Sequence, residues 1–430
     1  MDLLFLKNSV DYNEKYQKKN KKEKYINNRL LSIVEKFIVK NNLVCYGGTA
    51  INNILPKSEQ FYDYDIEIPD YDFFSTNAIQ HAKELCNILS NENVYHVEGK
   101  NAFFLGTYKV FVNFIPVADI TQINEKLYNY LMKNNIKVND IMYTPPQYLK
   151  MSLHQELSRP LGDVSRWEKI YKRMMLLYKQ YPMKSYKLMN KKHIVEYPNE
   201  VNKYNNIHYE LLEHFMKRKY IVCNLDLVHS ICKDMTYKYH NEIHIVYVDN
   251  LKNASSLITK KYGLKTTIVE SQYKFIGNYA FVNYNESIVA IIIHSNTCVA
   301  YTEQEYNNKK IRIPNIDSAL SLYYSLLMME DIPIAKSTFL YYIFKYNSVI
   351  TDYEKYIEQP VYSRFNLPCY GKQEDFQSVF YTRNKTYKKL SNNKSSKEYQ
   401  KWFFKYVPQL KYNTSMKKSK NIKNKTVKKK

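Results

Sequence analysis

Three carboxylates and a glycine pair carry the chemistry this sequence could do. Ile68-Pro69-Asp70-Tyr71-Asp72-Phe73-Phe74 alternates acids with apolar residues. In a strand rising about 3.3 Å per residue, Asp70 and Asp72 fall on one face about 6.6 Å apart, close enough to bracket hard cations such as Mg2+ or Mn2+. Paired metals of phosphoryl-transfer sites lie about 3.5–4 Å apart and clamp the attacking and leaving oxygens. Upstream, Cys45-Tyr46-Gly47-Gly48-Thr49-Ala50 joins a short apolar strand to a helical pattern. That turn bares backbone N–H groups at a helix start, and its glycines let a ligand approach the main chain. Gly47, Gly48 and the Thr49 hydroxyl can therefore cradle a phosphate. Alone, a glycine pair is more often only a tight turn, and an Asp-x-Asp only a solvated strand edge. Their order and strand character together favour nucleotidyl transfer.

A third acid closes the apolar run Val110-Phe111-Val112-Asn113-Phe114-Ile115-Pro116-Val117-Ala118-Asp119-Ile120. An ionised Asp119 between Ala118 and Ile120 is costly to bury without compensation, which a metal ion would supply. The chain between Asp72 and Asp119 has room for a helix over 77–89 and a hairpin (94–98, then 103–115) that returns Asp119 to the pair. Pro116 removes a ladder hydrogen bond and predicts an edge or a bulge. A salt-bridged strand end is the plain alternative for Asp119. Asp63-Tyr64-Asp65 is a competing acidic alternation nearer the glycine turn. Asp70 and Asp72 are preferred because Phe73-Phe74 continues a strand and 75–77 can start a helix.

These residues carry a resemblance. Gly47-Gly48-Thr49, the segment Pro69 to Ser75 and Val117-Ala118-Asp119-Ile120-Thr121 resemble the polymerase-β-type nucleotidyltransferase superfamily. More narrowly, they resemble the poly(A) polymerase catalytic subunits of large nucleocytoplasmic DNA viruses, of the mimivirus type and more distantly the poxvirus and asfarvirus types. Glu156-Leu157-Ser158-Arg159-Pro160, Ser165-Arg166-Trp167-Glu168-Lys169 and a Lys-rich end after Tyr406-Val407-Pro408 add to it. The likeness spans most of the chain, with its specific motifs in the first half.

The resemblance implies an α/β fold of mixed sheets: a nucleotidyltransferase catalytic lobe and a second, degenerate nucleotidyltransferase-like lobe. It implies template-independent addition of AMP from ATP to an RNA 3′ end, with two Mg2+ or Mn2+ ions on Asp70, Asp72 and Asp119. Gly47, Gly48 and Thr49 would hold the nucleotide phosphates. Helices after the catalytic sheet in this superfamily often donate cations to the triphosphate. Arg159 is one candidate here, and the stripe Arg166, Lys169 and Arg173 supplies three more, unless it is a plain solvated helix face. The mimivirus-type likeness implies a homodimer, and the viral one a place in the host cytoplasm or the virion. Other readings are a CCA-adding or small-molecule-modifying nucleotidyltransferase, and a basic RNA-binding scaffold with a dead lobe.

The elements that must position these groups follow from periodicity. Ile26, Leu30, Ile33, Val34 and Phe37 mark a helix over 25–39 that packs on the catalytic sheet. Prolines at 145 and 146 separate two segments, after which 147–156 and a stretch ending near Tyr181 are helical. Periodicity fades over 182–206. A second α/β lobe follows, with no glycine pair before a helix and no Asp-x-Asp on a strand. The division expected is a frayed basic arm (1–24), the catalytic domain (25–185), a linker (186–206), the second lobe (207–412) and a disordered Lys-rich tail (413–430). His244, His294 and Cys298 read as core residues without metal spacing, and the aromatic stretches 339–346 and 402–406 either close a core or stack on RNA.

Bulk properties agree. A chain of 430 residues with a formal charge of +23 suits two or three domains and an anionic partner. The segment from Met416 onward holds eight lysines and no acid, so most of the charge belongs to the body. Six cysteines without a CxxC pair read as reduced core residues in a cytosolic setting. No window approaches 18 consecutive apolar residues, and no signal-peptide pattern opens the chain.

Overall fold

A computed structural model describes residues 2–25, 28–63, 70–92, 94, 96–183, 201–224, 243–351 and 362–409. Asp65, Pro69, residues 186–200 of the expected 186–206 linker and the Lys-rich tail lie outside these residues, whereas residues 201–206, expected as linker, are helical. The chain opens with α1 (Asp2–Tyr25), α2 (Asn28–Lys40), β1 (Val44–Tyr46), α3 (Gly47–Ile54), β2 (Tyr71–Ser75) and α4 (Ala78–Leu89). Strands β3 (Val97–Asn101), β4 (Thr107–Val112) and β5 (Ile115–Gln122) meander into α5 (Glu125–Asn134). The hairpin β6 (Ile136–Val138) and β7 (Ile141–Tyr143) leads to α6 (Pro146–Leu157) and α7 (Trp167–Gln180). Next come α8 (Val201–Lys217), β8 (Ile221–Val222), β9 (His244–Val248), α9 (Leu251–Tyr262) and β10 (Lys265–Val269). They precede β11 (Tyr279–Tyr284), β12 (Ser287–His294), β13 (Val299–Tyr306), β14 (Lys309–Pro314), α10 (Ile316–Met328) and α11 (Lys336–Thr351). Then β15 (Cys369–Tyr370), α12 (Phe376–Leu390), α13 (Lys397–Phe403) and β16 (Lys405–Tyr406) follow.

Local chemistry sets these boundaries. Asn124, Asn250 and Asn315 cap α5, α9 and α10 by accepting from backbone N–H groups. Pro146 starts α6, where its missing N–H costs no helical bond. Gly263, at φ 70°, ends α9. Residues 1–24, expected as a frayed arm, include helix α1: the run is rich in Lys and has no Gly or Pro to interrupt it.

The first sheet runs β16-β3-β4-β5-β2-β1-β7-β6 and the second β10-β11-β12-β9-β8-β14-β13-β15. Strands β3-β4-β5-β2-β1-β7-β6 and β10-β11-β12-β9-β8-β14-β13 match in order and in relative direction at every junction. Even irregularities repeat. The β4–β5 turn at Asn113-Phe114 and the β11–β12 turn after Tyr284 each join strands across two residues, and each hairpin has a one-residue register shift three pairs from the turn. This matches Asp119 to Ile291 and, through the β12–β9 pairing, Asp72 to Ile245. The second lobe keeps the scaffold and has apolar side chains where the first has carboxylates.

Two expectations are corrected. Residues 207–412 do not form one lobe, because the chain crosses back: β16 pairs with β3 on the first sheet, and buried Phe404 packs edge-on against Tyr108. Nor are all six cysteines reduced. Cys298 and Cys369 form a disulfide, brought together by the β13–β15 pairing across 71 residues of sequence, while Cys45, Cys86 and Cys223 are free and buried. His244 is a core residue, and Phe339, Tyr342, Ile343 and Tyr346 close the second lobe's core. The lobes meet where α6 packs on α10. There Asp317 accepts a two-pronged bond from Arg364 (2.7 and 2.8 Å) and pairs with His154 Nδ1 at 2.8 Å, all buried. Among the described residues, no helix is long and apolar enough to cross a membrane.

Candidate active site

Asp72 and Asp119 are register neighbours on parallel strands β2 and β5, and Asp70 immediately precedes β2. Neighbouring strands lie about 4.8 Å apart, so paired side chains on one face meet. One carboxylate oxygen from each of Asp70, Asp72 and Asp119 lies within 4.8 Å of the others. Asp63 is exposed in the preceding loop.

The glycine turn packs directly on this cluster. Gly47 has φ 74°, and a Cβ there would collide with the Asp72 carboxylate. A Cβ on Gly48 would meet the Tyr62 hydroxyl and the Arg173 guanidinium. Glycine at both positions is what lets the Asp72 carboxylate, the Tyr62 hydroxyl and the Arg173 guanidinium close on the main chain at the start of α3. Thr49 is buried, and its hydroxyl donates to the Asp70 carbonyl at 2.8 Å. It therefore ties the turn to the strand that carries the carboxylates.

Like charges in a half-dry pocket leave a mark. Burial, then Asp70 and Asp119, pushes the Asp72 carboxyl well above the ordinary range, with Lys109 and Arg166 opposing. Asp119 is raised by burial, against the pull of Lys109, whose ammonium donates to Oδ2 at 2.5 Å. Asp119 Oδ1 is buried without a hydrogen-bond partner among the described residues. An acceptor oxygen left bare inside a cluster of three acids is what a bound divalent cation satisfies, so the donor set fits one.

Three of the four candidate cations, Arg159, Arg166 and Arg173, act on the Glu156 carboxylate. Arg173 comes to the glycine turn: it lies against the rings of Phe61 (4.6 Å) and Tyr62 (5.5 Å) and donates to the Tyr62 hydroxyl at 3.0 Å. Arg166 pairs with Glu156 at 3.4 Å, and its charge reaches Asp72. Lys169 lies on the exposed side of α7. Arg159 is pushed down by burial against the pull of Glu156, the carboxylate on which Arg166 and Arg173 also act, and its Nε has no hydrogen-bond partner among the described residues.

Lys109, Phe61 and Tyr62 are neighbours of the site that the motifs do not announce. Lys109 depends on a bulge. A strict two-residue hairpin from Val112 and Ile115 would pair Asp119 with Tyr108, but one extra residue on β5 shifts the register and sets Lys109 opposite it. Pro116 lies at this irregularity, as its missing N–H predicted.

Residues 32–163 match the family profile described as Poly(A) polymerase catalytic subunit. Two similar proteins bear the name "Putative poly(A) polymerase catalytic subunit". One, from Acanthamoeba polyphaga mimivirus, is 32% identical over 185 residues, 42% of this chain and 31% of that protein. The other, from African swine fever virus, is 31% identical over 160 residues, 36% of this chain and 33% of that protein. The chain thus aligns with about a third of the length of these relatives. The crystal structure of the Megavirus polyadenylate synthase superposes with a TM-score of 0.77 at 20% identity, covering 95% of this chain and 86% of that one. The chain therefore shares the two-lobed fold of that structure.

Proposed function

We propose that this chain is a viral poly(A) polymerase that transfers AMP from ATP to the 3′-hydroxyl of RNA without a template. The observation that supports this most is the meeting of Asp70, Asp72 and Asp119 beside a side-chain-free turn, with a bare Asp119 oxygen inside. In the reaction a bond forms between the 3′-oxygen and the α-phosphorus, the bond to the β-phosphate bridge breaks, pyrophosphate leaves, and the hydroxyl proton passes to solvent. Divalent cations, Mg2+ or Mn2+, held by the three carboxylates would lower the pKa of the 3′-hydroxyl and offset charge on the leaving pyrophosphate.

The chain's own groups do the rest. Backbone N–H groups at Gly47 and Gly48 bind phosphate oxygens, Arg173 and Arg166 supply fixed positive charge beside them, and Thr49 keeps the turn aligned with β2. Lys109 holds one Asp119 oxygen so that the other faces the cluster. Arg159, whose charge acts on Glu156 with those of Arg166 and Arg173, and Lys169 on α7 are the further cations offered to the triphosphate. The viral relatives support a place in the host cytoplasm or virion, and self-association into a homodimer belongs to the same reading.

Primer extension tests it, with 5′-labelled oligoadenylate, Mg2+ or Mn2+, and ATP, CTP or UTP supplied singly. Wild type should extend the primer with ATP in preference, and Asp70→Ala/Asp72→Ala should not. Addition of CTP-derived residues followed by one AMP would make it a CCA-adding enzyme. Extension that survives this double substitution but is lost in Asp63→Ala/Asp65→Ala would move the chemistry to the other pair.

A further inference from the structure

The carboxylates are one half of a row that crosses the sheet. Strand register places Tyr46 beside Asp72, Asp72 beside Asp119, Asp119 beside Lys109, Lys109 beside Lys100, and Lys100 beside Lys405. Side chains paired across a ladder share a face, so acids on the inner strands give way to three lysines toward the β16 edge. The opposite face is covered, with α4 packed on β3, β4 and β5. The lysine face is open: the side chains of Lys109 and Lys100 are 32% and 45% exposed, and Lys405 is exposed. Lys100 lies 4.2 Å from the centre of the half-buried Phe111 ring, which adds an aromatic surface. Lys274 reaches from the second lobe to Gly106, the residue before β4.

Resting on the reading above, we infer that this face is the track on which the RNA primer lies, its 3′-hydroxyl at Asp72 and Asp119 and its upstream phosphates over Lys109, Lys100 and Lys405. The polarity follows from charge. Only the acid end can hold the cations that the reacting hydroxyl needs, and only the lysine end complements the phosphates behind it. From Asp119 to Lys405 is three strand spacings, about 14 Å, the reach of a few nucleotides. Glu98 pairs with Lys100 at 2.7 Å, which fixes the ammonium while leaving it donors to spare. Contacts of this kind go to backbone and stacking surface, so they tolerate any base and suit a strand that must advance one nucleotide per cycle. The β16 strand, supplied by the returning C-terminal segment, completes the track.

The experiment measures anisotropy of 5′-labelled oligo(A) with Mg2+ and no ATP, across a salt series, on the full chain. Lys100→Gln/Lys405→Gln should weaken binding about tenfold and flatten the slope of log K against log salt by about 1.4, since each lost phosphate contact on a single strand removes about 0.7. The same charge change at the exposed Lys260 and Lys265 of the second lobe should leave both unchanged. A primer carrying 4-thiouridine near its 3′ end should crosslink wild type within 96–114 or 399–407, a readout that needs no variant to fold. Unchanged affinity and slope in a folded variant, or crosslinks confined to the second lobe, would overturn the track and leave the face to a protein partner. Because binding is read without ATP, a wild type that binds the primer on this face but never extends it would overturn the polymerase reading and not the track.

Discussion

At the scale of single residues, the site is a balance of burial and like charge. Burial and the neighbouring carboxylates raise Asp72, so the folded chain binds more protons than the unfolded one over the interval between the two pKa values. Stability without metal is therefore lost as pH rises through that elevated value, and a cation removes the penalty. Mg2+ is expected to raise the melting temperature at pH 8 and to do progressively less as pH falls toward the ordinary carboxylate range. A shift equal at all pH values would place the cation elsewhere. Gly47→Ala sets a methyl against the Asp72 carboxylate and forces a left-handed backbone on a residue that resists it. Displacing a reacting group by about 1 Å can cost 10²-fold, so kcat should fall about 100-fold while circular dichroism stays native. The three acids and two glycines were legible because their types and spacing are rare in combination. Lys109 was not, since its role depends on register.

At the scale of elements, one inserted residue in β5 decides what faces Asp119. Lys109→Gln removes a group that orients a metal-binding carboxylate, an effect of about 10- to 100-fold on metal affinity or activity in comparable sites. The Mg2+ concentration for half-maximal extension should rise accordingly, and an unchanged Mg2+ dependence would reduce Lys109 to a surface ion pair. Between the lobes, α6 and α10 enclose His154, Asp317 and Arg364 without solvent. Asp317→Asn leaves the buried Arg364 guanidinium without its carboxylate, at a cost of about 3–5 kcal/mol, readable in urea unfolding. The position of α2 was legible from its period, and those of α4 and α6 from the room and the prolines around them. Hydrophobic alternation ran straight through Asn113-Phe114, where two left-handed residues turn the chain (φ 50° and 67°), so one apparent strand became two.

At the scale of the whole molecule, the second lobe repeats the first in strand order, direction and even its bulge, yet has Ile245 and Ile291 where the first has Asp72 and Asp119. A second α/β lobe was legible from its element pattern, but its kinship to the first only through the family likeness, because residue identities have diverged while backbone pairing has not. The return of β16 was not legible at all: two residues of strand carry no periodic signal, and their partner is about 300 positions away in the chain. Phe404→Ala should destabilise the first lobe by about 3–5 kcal/mol, since the ring is buried against Tyr108. A denaturation midpoint that does not move would show the C-terminal segment to be an accessory. The amino-acid sequence by itself determined which groups could do chemistry, because carboxylates, glycines and arginines have their properties wherever they stand. Only the tertiary structure decided which of them meet: strand register, a bulge and a long return path are set by packing between distant segments, and one residue of slip would turn Lys109 away from Asp119.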